Sequence, residues 1–257
     1  MNVRPLILTM LLATLPAFAS LAAEPDEPSG LDPRASAALK RATDYLSNAK
    51  TLSVNALVTF DVFVTTGHKL EFEKDIELTL KRPNKVRAEV VTDLAHRHVY
   101  FDGKEVTVYN EDLNVYSKIP APGSIDEMAD ALYEKFDIAM PIVDLIVADP
   151  YASYTSQATY SRYLGESNVS GELCDHVLLS NSEIDYQIWI ATGDSPQVRK
   201  ITIDYANEPG VPEYSVRFDE WEAGKPTSDA MFSFTAPEGA DAIDALPVVV
   251  VVEEEGE

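Results

Sequence analysis

Residues 69–81 read KLEFEKDIELTLK. Within them Leu70, Phe72, Ile76, Leu78 and Leu80 alternate with Glu71, Glu73, Asp75, Glu77 and Thr79. Successive side chains of a strand point to opposite faces, so this run predicts a strand with one apolar and one wet face. Upstream, Val54, Ala56, Val58, Phe60, Val62 and Val64 repeat the same period, and Gly67 separates the two runs. The pair predicts a long hairpin in an antiparallel sheet that packs one face on a core and leaves the other in water.

Working outward, shorter strands are expected near Val86–Val91, His96–Phe101, Glu105–Tyr109 and Val115–Lys118, with Asp102-Gly103 as a tight hairpin turn. Strands resume near Ser161–Glu166, Glu172–Leu179, Tyr186–Ala191, Val198–Tyr205, Tyr214–Trp221 and Met231–Phe234. Helices frame and interrupt them. Asp32 is placed to cap a first helix with Pro33 in its first turn, and Ala35, Ala38, Ala42, Tyr45, Leu46 and Ala49 recur at helical spacing. Ser124 and Glu127 form a capping box ahead of an apolar stripe of Ile125, Met128, Ala129, Leu132, Tyr133 and Phe136. Pro141 opens a second short helix, apolar on most sides through Ile142, Val143, Leu145, Ile146 and Val147. No strand–helix–strand alternation occurs, which argues against a parallel sheet. The class expected is mainly β (α+β), with about 11 antiparallel strands.

The chain starts with Arg4, an apolar run over Leu6–Phe18 and the small-residue exits Ala17-Phe18-Ala19 and Ala22-Ala23. Together these describe a signal peptide over residues 1–23 and hence export to the periplasm, with no transmembrane segment after its removal. Residues 24–30 read as a flexible leader, 31–246 as one domain, and 247–257 as an acidic tail in which Val248–Val252 either adds an edge strand or stays disordered.

Lys and Arg number 20 against 43 Asp and Glu, a net charge of −23. Such a surface repels phosphate backbones and anionic headgroups, so nucleic acid is not expected as a partner and lipid contact has to run through apolar surface. Cys174 is the only cysteine, which excludes an internal disulfide.

Lys81-Arg82-Pro83-Asn84-Lys85-Val86-Arg87, Tyr100-Phe101-Asp102-Gly103-Lys104, Ala121-Pro122-Gly123-Ser124-Ile125-Asp126-Glu127-Met128 and Phe232-Ser233-Phe234-Thr235-Ala236-Pro237-Glu238-Gly239 carry a resemblance, together with Pro141–Leu145 and Gly171–His176. In this order the stretches resemble a family of predicted periplasmic bacterial proteins within the lipoprotein carrier superfamily, the outer-membrane lipoprotein localisation factor A type. The resemblance implies a strongly curved antiparallel half-barrel whose mouth is covered by an N-terminal helix and a helical lid. It also implies an apolar interior of the kind that holds acyl chains, and a lid latch at Arg82, the position matching the arginine that holds the carriers' lid closed. A fold does not carry its cargo with it.

The apolar faces of sheet and helices have to meet. Both a filled core and an open pocket satisfy the pattern, and the resemblance favours the pocket. Its expected lining is Phe60, Phe72, Leu78, Met128, Leu132, Phe136, Ile142 and Leu145. His96 and His98 form an H-x-H on one strand face, a common zinc spacing that needs a further ligand. His176 supplies one only if its strand lies nearby, and satisfied surface histidines are the preferred reading, so no metal and no cofactor are expected. Cys174 and His176 sit too far apart along one strand for a catalytic pair. No G-x-S-x-G elbow or phosphate loop occurs. The sequence therefore points to a non-enzymatic binder or carrier of a lipid or lipoprotein acyl chain, with an envelope protein-interaction module of filled core as the alternative.

Overall fold

The computed structural model describes residues 30–64, 67–136, 142–208, 210–219 and 221–244, with the side chains of 135 and 136 left undescribed. The stretches expected to be a signal peptide, most of the expected leader and the expected acidic tail therefore lie outside the described residues.

The chain runs α1 (Pro33–Asn48), β1 (Thr51–Phe63), β2 (Lys69–Lys81), β3 (Lys85–Thr92), β4 (His96–Phe101), β5 (Glu105–Asn110), β6 (Val115–Pro120), α2 (Ile125–Phe136) and a 3-10 turn at Val143–Leu145. It continues through α3 (Pro150–Thr155), β7 (Tyr160–Val169), β8 (Glu172–Ser180), β9 (Ile184–Ala191), β10 (Val198–Tyr205), β11 (Glu213–Phe218) and β12 (Glu222–Ala223). A 3-10 turn at Asp229–Phe232 and β13 (Asp241–Ala242) close it. All strands join one open curved sheet in the order β13-β6-β5-β4-β3-β2-β1-β11-β10-β9-β8-β7, with β12 also on β1. Named strand pairs are antiparallel except β13 with β6.

The hairpin read from the alternation forms over its full length, from Thr51 opposite Lys81 to Phe63 opposite Lys69. It is the spine of the sheet. One meander, β1–β6, leaves it on one side, and a second, β7–β11, returns to β1 on the other. The inner face carries Val54, Val58, Leu78, Leu80, Ile188, Ile201 and Val216, all buried in one cluster with the inward sides of the helices. Full burial of a side chain such as Leu or Ile contributes about 1.5–3 kcal/mol.

Helix α1 starts where Asp32 accepts from Arg34 N at 2.8 Å, and the same carboxylate accepts from Tyr163 N at 2.9 Å, which pins the helix to β7. Ala35, Ala38, Leu39, Ala42 and Leu46 face the sheet. The small alanines let the helix approach closely. The capping box of α2 forms as expected: Ser124 N donates to Glu127 Oε2 at 2.7 Å and Glu127 N to Ser124 Oγ at 3.2 Å. Gly123 precedes it at φ +116°, where a Cβ would run into the Glu127 carboxylate.

Two expectations need correction, and two details go beyond what was expected. The eleven expected strands are β1–β11, each of six residues or more, and among the described residues two-residue β12 and β13 add to their pairing. Met231–Phe234 is not a strand: Asp229–Phe232 is a 3-10 turn that packs with its Phe232 fully buried against the outer face near β3. The segment after Pro141 is a single 3-10 turn, since three residues are too few to propagate a helix. Helix α3 was unforeseen, although Asp149 caps it by accepting from Ala152 N at 2.9 Å and Pro150 fills its first position.

Candidate ligand site between sheet and helices

Arg82 ends β2 beneath the helical layer. Its Nη1 donates to the carbonyl oxygens of Ile146 at 2.6 Å and Val147 at 2.9 Å, and Nη2 reaches that of Leu46 in the last turn of α1 at 3.5 Å. Carbonyls at the end of a helical turn lack intrahelical donors, and a cation there also meets the negative end of the helix dipole. Burial lowers the guanidinium's pKa and the nearby Asp126 carboxylate opposes that shift. An arginine stays charged under such a penalty. Asp126, on α2, accepts from Ala148 N at 3.0 Å. One short stretch, 146–148, is thus held by a cation from the sheet and an anion from α2. Asp144 accepts from Ser153 Oγ and ties the 3-10 turn to α3. Burial raises the Asp144 carboxyl's pKa, with the Ser153 hydroxyl working against it.

The expected lining residues separate into two groups. Leu78, Met128, Leu132 and Leu145 are 7%, 4%, 4% and 0% exposed and belong to the packed core under the helices, with Ile142 packed against it. Phe60 and Phe72 lie further along β1 and β2, half-buried, with ring centroids 5.9 Å apart. The Phe136 side chain falls outside the described ones.

The same end of the inner face holds residues that the sequence reading passed over. Lys74 pairs with Val58, a core residue, and lies two positions from Ile76, so it points inward. Its Nζ sits 5.2 Å from the Phe60 ring centroid and 5.3 Å from that of Tyr214. Burial pulls the ammonium's pKa down. Arg97 pairs with Val90 on the same face, and its buried Nε has no hydrogen-bond partner. Among the described residues neither Lys74 nor Arg97 forms a salt bridge. The inner face is therefore apolar beneath the helices and carries two cations without a counter-ion towards its other end.

A cavity of about 540 Å³ opens on the outer face instead, between Leu57, Glu73, His176, Trp189, Lys200 and Arg217. His176 stacks on Trp189 at 4.2 Å, and Lys200 Nζ lies 4.9 Å from the same indole. His176 does not join His96 and His98, because β8 and β4 are far apart in the strand order. Cys174 is fully buried, and burial raises its thiol pKa to about 11. A thiol of that kind is not a nucleophile at neutral pH.

Residues 35–246 match the family model described as predicted periplasmic protein, DUF2092. The chain belongs to this family. That membership assigns it to the periplasm, and no helix among the described residues is long and apolar enough to cross a membrane. Among curated proteins none matches the sequence. Several solved structures resemble the chain at low identity. The lipoprotein LppX of Mycobacterium tuberculosis is 13% identical, with a TM-score of 0.47 over 77% of this chain and 98% of its own. LprF of Mycobacterium bovis is 13% identical, with a TM-score of 0.48 over 83% and 99%. MucB in the MucA/MucB complex of Pseudomonas aeruginosa is 14% identical, with a TM-score of 0.41 over 78% and 61%.

Proposed function

We propose that this DUF2092 member binds or carries a hydrophobic ligand, a lipid with an acidic headgroup or a lipoprotein acyl chain, and that it is not an enzyme. The observation supporting this reading is the inner face itself: an apolar surface with Lys74 and Arg97 at one end, neither paired with a counter-ion among the described residues. The chain of the ligand would lie along Phe60, Phe72 and Leu78 and beneath Met128, Leu132, Ile142 and Leu145. Its transfer from water contributes about 25 cal/mol per Å² before ordering costs are subtracted. The headgroup would neutralise Lys74, whose partial desolvation is costly without a counter-ion.

The interior under the helices is packed in the present conformation, so loading requires the helices to lift. Arg82 acts as the latch: opening breaks its bonds to Ile146 and Val147, and a ligand that fills the interior compensates for that loss. A second reading also has an observation in its favour. The near-complete burial of Leu78, Met128, Leu132 and Leu145 suits an envelope interaction module with a solid core. Titration with a fluorescent fatty acid separates the two. Saturable uptake that falls in Lys74→Met supports the carrier, and no uptake by a folded protein supports the interaction module.

A further inference from the structure

The register of β3 and β4 sets Glu89 directly opposite His98, with His96 diagonal to it on the same outer face. The β5–β6 turn brings Glu111 to the other side of both rings. His96 Nε2 lies 2.7 Å from Glu89 Oε1, and His98 Nδ1 lies 3.7 Å from Glu89 Oε2. On the opposite ring edges His96 Nδ1 is 3.3 Å and His98 Nε2 2.8 Å from Glu111 Oε2. The two carboxylates thus divide the four imidazole nitrogens between them. One ligand atom from each of Glu89, His96 and His98 falls within 4.8 Å of the others.

From this arrangement we infer a binding site for a divalent transition-metal ion of the zinc class, with His96 Nε2, His98 Nδ1 and a Glu89 oxygen as its protein ligands. Glu111 is the positioning residue. Ligand atoms around a tetrahedral ion with bonds of about 2.0–2.2 Å stand roughly 3.3–3.5 Å apart, so small side-chain rotations convert the present spacing into a coordination sphere. Glu111, accepting from His98 Nε2 at 2.8 Å and lying 3.3 Å from His96 Nδ1, favours the tautomers that leave His98 Nδ1 and His96 Nε2 free for the ion, the usual support for metal-bound histidine. His98 Nδ1 is itself buried without a hydrogen-bond partner, a condition rare among buried polar atoms and accounted for by a metal bond. Tyr109 stacks on His98 at 5.9 Å, in turn packed by Phe234 at 5.6 Å, so the ring is held from behind by the C-terminal segment. Two imidazoles with one carboxylate leave a fourth position for water or an exogenous ligand. The acidic surface raises the local concentration of cations around it.

The test is calorimetric titration of the purified, EDTA-treated full chain with zinc chloride, repeated with cobalt to read the visible absorption of a four-coordinate ion. The inference expects one equivalent bound and a four-coordinate cobalt spectrum. Stoichiometric binding is expected to vanish in His98→Gln and in His96→Gln, each checked for an unchanged circular dichroism spectrum. Glu111→Gln is expected to weaken affinity by about 10–100-fold while preserving the stoichiometry. Substoichiometric uptake, or binding that persists in the folded His96→Gln and His98→Gln variants, overturns the site. Should one histidine variant fail to fold, the other carries the same expectation.

Discussion

Arg82 Nη1 donates to the carbonyl oxygen of Ile146 at 2.6 Å, across 64 positions of sequence. With the Val147 bond it joins the end of β2 to the segment that Asp126 also holds through Ala148 N. Hydrogen bonds from a charged donor contribute about 1.5–3 kcal/mol each when both partners are buried. Arg82→Leu leaves two carbonyls without that donor. Hydrogen exchange of amides 143–155 should accelerate by more than tenfold while amides of β1 and β2 keep their protection. Equal protection in variant and parent would remove the latch.

Leu145 is fully buried at the centre of the same segment. Leu145→Ala opens a void and should cost about 2–5 kcal/mol of stability, read from urea unfolding. The void lies where a ligand chain is proposed to run, so the variant should also take up a fluorescent fatty acid faster than the parent. A cost below 1 kcal/mol, on the scale of an exposed site, would mean that the segment is not part of the core.

Lys74 offers a charge test. Burial depresses its pKa, and a bound carboxylate or phosphate raises it again by favouring the ammonium. Affinity for an anionic amphiphile should therefore fall as pH rises through the depressed value, whereas affinity for a neutral amphiphile of equal length stays level. Lys74→Met should abolish that difference in slope. Parallel pH profiles for the two ligands in the parent protein would show that Lys74 does not meet the headgroup.

Asp144 gives the segment around the 3-10 turn at Val143–Leu145 a pH dependence of its own. Its folded pKa is raised above the ordinary 3.8 by burial, so the folded segment favours the protonated form. Stability from this group is fully present below the ordinary value and is lost as pH rises through the raised one. Protection of amides 143–155 should thus decline over the range just above the ordinary carboxylate value. Asp144→Asn should flatten that decline, and a slope unchanged by the substitution would assign it to another group.

Cys174 should resist alkylation at neutral pH, because its thiol is buried with a pKa near 11. Ellman's reagent should react with it only after denaturant is added. Prompt stoichiometric reaction of the native protein would contradict the packed environment of β8.

Elements governed by local rules could be read directly. The β1–β2 alternation, the Asp32 cap and the Ser124–Glu127 box each stand in the sequence and in the structure with the same residues. Lys74 was legible in a weaker way, as the one inward position where the apolar series of β2 breaks. What depends on cross-strand register was hidden. The H-x-H spacing puts His96 and His98 on one face, but nothing in the sequence adds Glu89 and Glu111 to them until β3 pairs with β4 and the next turn folds back. Phe232 and Phe234 alternate as a strand would, yet the first is the end of a 3-10 turn and the second packs on Tyr100, Tyr109 and Tyr116. Tertiary burial on the outer face overrode the local period there.

The most direct measurement is to purify the protein gently from its host, extract it with organic solvent, and identify the extracted species by mass spectrometry. The carrier account predicts a stoichiometric amphiphile with an acidic headgroup and at least one acyl chain. A protein that yields no such species and also fails to take up a fluorescent fatty acid would contradict it.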